Sequence, residues 1–482
     1  MQPTNEQMNA IDIANCKSSF KISAYAGAGK TSTLKLIGDT LSPNKGLYLA
    51  FNKSIADEAA GKFSRNVTCK TFHSMAFNGT PKYITEKLKY KRLLPNTMSS
   101  MFDLRDYNLP LERDTQKSDT CTPYDQAMIL TRTLDLFCRS TDKAINYNLV
   151  MNAMPEWVHK GSCSDLALSL VDKANSLWNI YIDYGTQFKI THDIYLKFWA
   201  LTNPEINSDF ILFDEAQDAD PIMLDILSKQ NSQVIYVGDK HQQIYAFRGA
   251  VNAMQSLNIP EAHLTKSFRF GNEIAHLSNS ILSKLLEEPT PLIGNENKKS
   301  SITKIQNPNA YLARTNAGAL SKALQLILEG QKPKLNLDIQ LLLRTIEDAG
   351  KLQNGEKVNK SSDFFGFSNW YEVLSYIEEY PKCDLVPVVT LIENHGVSYL
   401  KDIIGKLLMT SDTDCLVTTA HKAKGLEFNS VQLCDDYFWK NKENEPLMLP
   451  AEARLLYVAC TRAIETLDIT NMHVLFNALL SK

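Results

Sequence analysis

The sequence predicts an α/β protein of two lobes, each built on a parallel sheet and each interrupted by a mainly helical insertion. An apolar strand, Phe20–Ala24, runs through a glycine turn into a helix that begins at Lys30. A second apolar strand, Phe210-Ile-Leu-Phe213, ends on Asp214-Glu215. Around them short apolar runs alternate with amphipathic stretches, the pattern of βα units around a parallel sheet.

Taken in order, Gly46–Phe51 reads as a strand leading into a helix over Lys53–Phe63, and Gln233–Val237 as the strand after the acidic one. From about 83 to 190 the pattern changes to long amphipathic helices, such as Tyr124–Ser140 and Asp165–Tyr181, and reads as an insertion. Alternation resumes at His263, with a strand at Ala310–Ala313, a helix to Leu328 and a strand at Asp338–Leu343. A second helical insertion over about 345–410 includes Asn369–Tyr380 and Tyr399–Met409. Strands at Cys415–Ala420 and Ser430–Asp435, a helix at Pro450–Ala463 and a strand at Thr466–Thr470 complete the pattern. The expected first lobe is 1–82 plus 191–262 around an insertion at 83–190. The second is 263–344 plus 411–482 around 345–410.

Composition bounds the rest. A chain of 482 residues with 44% hydrophobic and 22% charged residues is ordinary for a globular protein of several subdomains. No apolar run approaches a membrane-spanning length, so no membrane association is expected. The start, Met1-Gln-Pro-Thr-Asn-Glu6, reads as lacking a signal segment. The 9 cysteines are dispersed without a CxxC pair, which suits reduced thiols in an intracellular protein. A net charge of −3 argues against a histone-like polyanion binder but leaves room for a groove lined locally with Lys and Arg.

The glycine turn, Ala26-Gly27-Ala28-Gly29-Lys30-Thr31-Ser32, has the chemistry of a phosphate-binding loop. Backbone N–H groups at a helix N-terminus wrap an anion, and glycine at 27 and 29 lets the backbone close on it. Lys30 would neutralise the β/γ-phosphates, and the Thr31 hydroxyl would ligate Mg²⁺. The strict pattern wants glycine at 24, where this chain has Ala24. Ligands of open parallel sheets bind at the carboxyl ends of strands, which is where Asp214 and Glu215 fall. Asp214 would hold Mg²⁺ through water, and Glu215 would orient and deprotonate the attacking water. A plain glycine turn and a solvated acidic loop are the bland alternatives. Their conjunction in one chain favours a nucleoside-triphosphate hydrolase.

Further motifs carry a family resemblance. Thr4-Asn-Glu-Gln7, Tyr48–Glu58, Thr71-Phe-His-Ser74, Val237–Ala250, Lys266-Ser-Phe-Arg-Phe270, Thr419–Phe428 and Ala453–Ala463 follow one another in the order of the motifs of the UvrD/Rep group of superfamily 1 DNA helicases. The chain resembles that group over nearly its whole length. It is similar in finer wording to the F-box DNA helicase branch, through Phe51-Asn-Lys-Ser-Ile55 and Thr191-His-Asp-Ile-Tyr-Leu-Lys197. With the glutamine motif starting at residue 4, no F-box is expected. With so little chain after the last motif, no nuclease domain is expected either. Tyr25 stands where relatives usually have glycine, and Phe247 where many have tryptophan.

The resemblance implies two RecA-like lobes with ATP bound between them, and a monomeric enzyme using ATP and Mg²⁺. Gln7 would read the adenine edge, Phe268 would stack on adenine, and Glu427 would join the ATP contacts. Gln242 would sense the γ-phosphate, and Arg269 and Arg462 would be arginine fingers. Phe51, Asn52, Thr71, His73, Tyr245, Phe247, Arg248 and His421 would line the DNA track. For Phe51 and Tyr245 the bland reading is a core aromatic. The basic run Lys82–Arg92 reads equally as a phosphate contact or a solvated helix face. The implied activity is 3′-to-5′ translocation on single-stranded DNA and unwinding at single-strand/duplex junctions, in repair, recombination or replication. The alternative is a translocase that strips recombinase or single-strand-binding proteins without efficient unwinding. The compartment would be cytoplasm for a bacterial or phage protein and nucleus for a eukaryotic one.

Overall fold

The computed structural model describes residues 2–109, 119–159, 163–245, 249, 251–337, 339–359, 362–379, 385–408, 413–442 and 445–480. The chain divides into two compact units. One is Met1–Ser23, Thr31–Gly238 and Tyr245–Ala262; the other is Ala24–Lys30, Asp239–Ile244 and His263–Lys482.

The first sheet contains β1 (Phe20–Ala24), β2 (Gly46–Ala50), β3 (Val67–Thr71), β4 (Phe210–Phe213), β5 (Gln233–Gly238) and β6 (Glu261–Leu264), in the order β3-β2-β4-β5-β1-β6. The pairings from β3 through to β1 are parallel. Every residue of β2, β4 and β5 is buried, as expected of central parallel strands covered on both faces. The parallel register brings the carboxyl ends of β1, β4 and β5 to one edge of the sheet.

Around this sheet lie α1 (Asn5–Asn15), α2 (Lys30–Thr40), α3 (Lys53–Ala60) and α4 (Phe72–Gly79). The expected insertion is helical and includes α5 (Pro123–Arg139) and α6 (Ser164–Ile182). It also holds a small antiparallel pair, Tyr107–Leu109 with Asp119–Cys121, that the sequence reading did not anticipate. Helix α7 (His192–Leu201) then returns the chain to β4. The helices bury one face: Leu130, Leu134 and Phe137 of α5 share a core with Leu170, Leu177 and Trp178 of α6.

The second sheet runs β9-β10-β8-β11-β12-β7, with β7 Ser301–Ile302, β8 Ala310–Ala313, β9 Pro333–Asn336, β10 Cys415–Thr419, β11 Phe428–Leu433 and β12 Ala463–Asp468. All of its pairings are parallel. Helix α8 (Asn316–Leu328) covers it, and helices α9 (Ile339–Gln353), α10 (Trp370–Glu379), α11 (Val386–His395) and α12 (Val397–Leu408) intervene between β9 and β10. After β11 comes α13 (Pro450–Cys460). The two sheets, each with a helical interruption, are the two RecA-like lobes the sequence predicts.

One expected strand is wrong. Of Asp338–Leu343, Asp338 lies outside the described residues and the remainder opens α9; the strand is the preceding β9. Leu342, Ile346, Ala349 and Leu352 are all buried, a spacing near 3.6 that belongs to a helix. The tails of the expected helices at Tyr380 and Met409 also lie outside the described residues.

Candidate active site

In the first unit β4 delivers Asp214, which is buried. Tyr48 of β2 donates its hydroxyl to Asp214 Oδ2 at 2.7 Å, and the Glu215 N–H donates to Oδ1 at 2.9 Å. Burial, and then the Asp214 charge, push the Tyr48 phenol far up, so it stays a donor. Glu215 has φ +54° and ψ 39°, a left-handed conformation. For a residue with a side chain this costs on the order of 1–3 kcal/mol and persists where surrounding contacts enforce it. Here the Gln217 amide donates to the Glu215 carboxylate.

A cleft of about 180 Å³ opens beside the two acids and is also lined by Phe51, His73, Arg139, Asp193 and Tyr245. The Phe51 and Tyr245 rings stack, with centroids 6.1 Å apart and planes 10° apart. Phe51 is 49% exposed, so the core-aromatic alternative fails for it. His73 Nε2 lies 3.2 Å from Asp193 Oδ1, and Arg139 Nη2 donates to Asp193 Oδ2 at 3.0 Å. Burial would raise the Asp193 carboxyl, but bonding to His73 and the Arg139 charge outweigh it and hold it low.

Other residues expected on the DNA track have structural duties as well. Asn52 caps α3 by accepting the Ile55 N–H, and Thr71 caps α4 by accepting the Ser74 N–H. Gln7 forms a capping box with Thr4, and its amide donates to Thr33 Oγ1 of α2 at 3.0 Å. Phe247 and Arg248 lie outside the described residues. In the basic run, Lys87 is buried and donates to the carbonyls of Tyr181 and Asp183, so it is not part of any surface. Thr31 and Ser32 sit in the first turn of α2.

In the second unit Gly27 and Gly29 have φ of +71° and +76°, and Lys30 follows as the first residue of α2. A Cβ at Gly27 would lie 2.5 Å from Ser267 Oγ and 2.6 Å from Arg269 Cβ, so only glycine fits. The Phe268 N–H donates to Gly27 O at 2.7 Å. Ala26 and Ala28 are buried, and the Ala26 N–H donates to the Tyr457 hydroxyl at 3.2 Å. Tyr25 donates its hydroxyl to Thr290 O at 2.6 Å and stacks on His241 with centroids 6.3 Å apart. Tyr25 and His241 thus each have a packing partner.

Gln242 donates its amide to Asp239 Oδ2 at 2.9 Å, and Lys424 Nζ donates to Gln242 O at 2.9 Å. Arg269 donates through Nε to Glu427 Oε2 at 2.8 Å and through Nη1 to Thr461 O at 2.9 Å. Arg462 is 2% exposed; its Nε donates to Val458 O at 3.0 Å and its Nη1 to Leu426 O at 3.2 Å. His421 is half-buried in the turn after β10.

The structure therefore brings Asp214, Glu215, Phe51, His73 and Tyr245 to one cleft. Separately, it brings Gly27, Phe268 and Arg269 together, with Glu427 on Arg269. Sequence reasoning missed Arg139, Asp193 and Tyr457. The last lies in the apolar run Leu455-Leu-Tyr-Val-Ala-Cys460, and a buried tyrosine there usually finds a hydrogen-bond partner for its hydroxyl.

Residues 4–260 match the model of the UvrD/REP helicase N-terminal domain, and residues 389–473 that of the UvrD-like helicase C-terminal domain. The chain belongs to the UvrD/Rep helicase family. It is 31% identical to F-box DNA helicase 1 of Gallus gallus over 490 aligned residues, covering 92% of this chain and 46% of that protein. It is 29% identical to F-box DNA helicase protein 1 of Schizosaccharomyces pombe over 517 aligned residues, covering 97% of this chain and 57% of that protein. The chain thus spans about half the length of these curated relatives. Among solved structures, one titled "The structure of PRRSV helicase" aligns at 11% identity and a TM-score of 0.31, over 96% of this chain and 54% of that one.

Proposed function

We propose that the chain is an ATP-driven motor that moves 3′ to 5′ along single-stranded DNA and unwinds duplex at a single-strand junction. The observation that carries this reading is the cleft in which Asp214 and Glu215 share walls with the stacked Phe51–Tyr245 pair. Aromatic faces accept any base, and each base–aromatic stack is worth about 1–3 kcal/mol, enough to grip a strand and to release it.

In this reading Lys30 and the loop amides receive the β- and γ-phosphates, and Glu215 orients and deprotonates the attacking water. Gln242 responds to the γ-phosphate, and Arg269 and Arg462 stabilise charge on the transferred group. Arg462 would first exchange the carbonyls of Val458 and Leu426 for phosphate oxygens. The Thr31 hydroxyl and the Asp214 carboxylate are hard oxygen donors. Among the described residues no group of three or more His, Cys, Asp or Glu forms a metal cage. That donor set fits Mg²⁺, which takes one or two protein oxygens and completes its shell with water and phosphate. When bound, Mg²⁺ would neutralise phosphate charge.

Strand displacement on 3′-tailed and 5′-tailed duplexes tests the reading. Unwinding of the 3′-tailed substrate alone, dependent on ATP, is expected. Lys30→Ala should abolish turnover, since the phosphate charge loses its cation. Unwinding from 5′ tails would reverse the polarity. Strand-stimulated ATPase without unwinding of either substrate would favour the protein-stripping translocase. Normal turnover by Lys30→Ala would remove the site assignment.

A further inference from the structure

Tyr457 is buried to 0% exposure in α13, and its hydroxyl serves two partners in the second unit. It accepts the Ala26 N–H of the glycine loop at 3.2 Å and donates to Asp239 Oδ2 at 3.1 Å. Asp239, itself 1% exposed, also accepts the Gln242 amide on Oδ2 and the His241 N–H on Oδ1, each at 2.9 Å. The phenol ring meets His241 edge-on at 6.3 Å. One hydroxyl therefore joins three stretches far apart in sequence: the glycine loop, the turn carrying Gln242 and the helix running into Thr461-Arg462.

Removing this hydroxyl would take a donor from a buried carboxylate and an acceptor from a buried amide. The carboxylate is the one that holds the Gln242 side chain. Its remaining bonds would have to rearrange, because a buried polar group does not tolerate a missing partner. Gln242 would then lose its fixed direction while keeping its chemical identity.

We propose that Tyr457 is a positioning residue for the phosphate chemistry: through Asp239 it fixes the direction of the Gln242 side chain. The inference rests on the ATPase reading above and adds a residue to it. The effect belongs in kcat rather than in ADP affinity, because it acts on the aim of Gln242, and a γ-phosphate sensor has no phosphate to meet in ADP. Misplacing one group in this way costs up to about 100-fold in rate.

The test compares wild type, Tyr457→Phe, Gln242→Ala and the double variant. Phenylalanine keeps the ring and its packing on His241 while removing the hydroxyl. The readouts are steady-state ATP turnover with single-stranded DNA, binding of a fluorescent ADP analogue, and nucleotide-free thermal unfolding. A kcat loss of about 10- to 100-fold is expected for Tyr457→Phe, with KM and ADP affinity little changed. The double variant should be no slower than Gln242→Ala alone, because both changes disable one unit.

Wild-type kcat in Tyr457→Phe would overturn the inference. So would losses that multiply in the double variant, or a loss confined to KM and thermal stability. Absence of ATP turnover in wild type would instead sink the ATPase reading and this inference with it. Should Tyr457→Phe fail to fold, Asp239→Asn disturbs the same contact from its other end. It must then show the same kcat-specific loss and the same non-additivity with Gln242→Ala, and failure to do so would overturn the inference.

Discussion

Glu288 is almost wholly buried, and both of its oxygens are used. Lys240 Nζ and His241 Nε2 each lie 2.6 Å from Oε2, and the Thr290 N–H donates to Oε1 at 3.1 Å. Burial alone would raise this carboxyl, but bonds from Lys240, His241 and Thr290 outweigh it and bring it to about 2. A carboxylate whose value is lower folded than unfolded adds stability above its ordinary 4.5. That contribution is lost as pH falls from there toward about 2. Glu288→Gln should therefore lower the thermal midpoint at pH 7, with the gap to wild type closing between pH 4.5 and about 2. A gap that does not vary with pH across that range would mean the carboxylate charge contributes nothing. Since Tyr25 stacks on His241, the same change should also loosen Tyr25.

At the scale of elements, α7 is tied to the helical insertion at two points along its length. Near its start Asp193 bonds Arg139, the last residue of α5, and His73 of α4. Farther along, the buried Lys197 Nζ donates to Ser140 O at 2.8 Å and Asp142 O at 2.6 Å and lies 4.2 Å from the Phe137 ring centre. Burial lowers this lysine to about 8. Asp193→Asn removes the carboxylate charge that Arg139 and His73 both bond and should destabilise the protein by about 1.5–3 kcal/mol. A urea midpoint equal to that of wild type would refute the tie. None of this was legible in the sequence, where Thr191–Lys197 stood out only as a resemblance. What was legible had a local cause: apolar strands such as Phe210–Phe213, the glycine turn after Ala24, and the long amphipathic helices of the insertion. What was misread had two local solutions. Leu341-Leu-Leu343 suits a strand until the buried positions Ile346, Ala349 and Leu352 downstream select a helix. Lys87 belongs to a basic run until its carbonyl partners, some 94 and 96 residues later in the chain, draw it inside.

For the molecule as a whole, a net charge of −3 sets how it can hold a polyanion. Bulk attraction is absent, so the proposed grip on single-stranded DNA would have to come from local contacts, divided between phosphate bonds that weaken with salt and base stacking that does not. The half-exposed Phe51, stacked on Tyr245, is the clearest platform among the described residues. Phe51→Ala should therefore weaken binding of an oligo-dT strand by about 1–3 kcal/mol. Because no phosphate contact is lost, the slope of log affinity against log salt should stay as in wild type. Fluorescence anisotropy across a salt series separates the possibilities. Unchanged affinity would take Phe51 off the track, whereas a shallower slope would mean that its removal also disturbs cationic contacts to the backbone. A parallel downward shift at every salt concentration is the result that matches a stacking platform on an otherwise acidic protein.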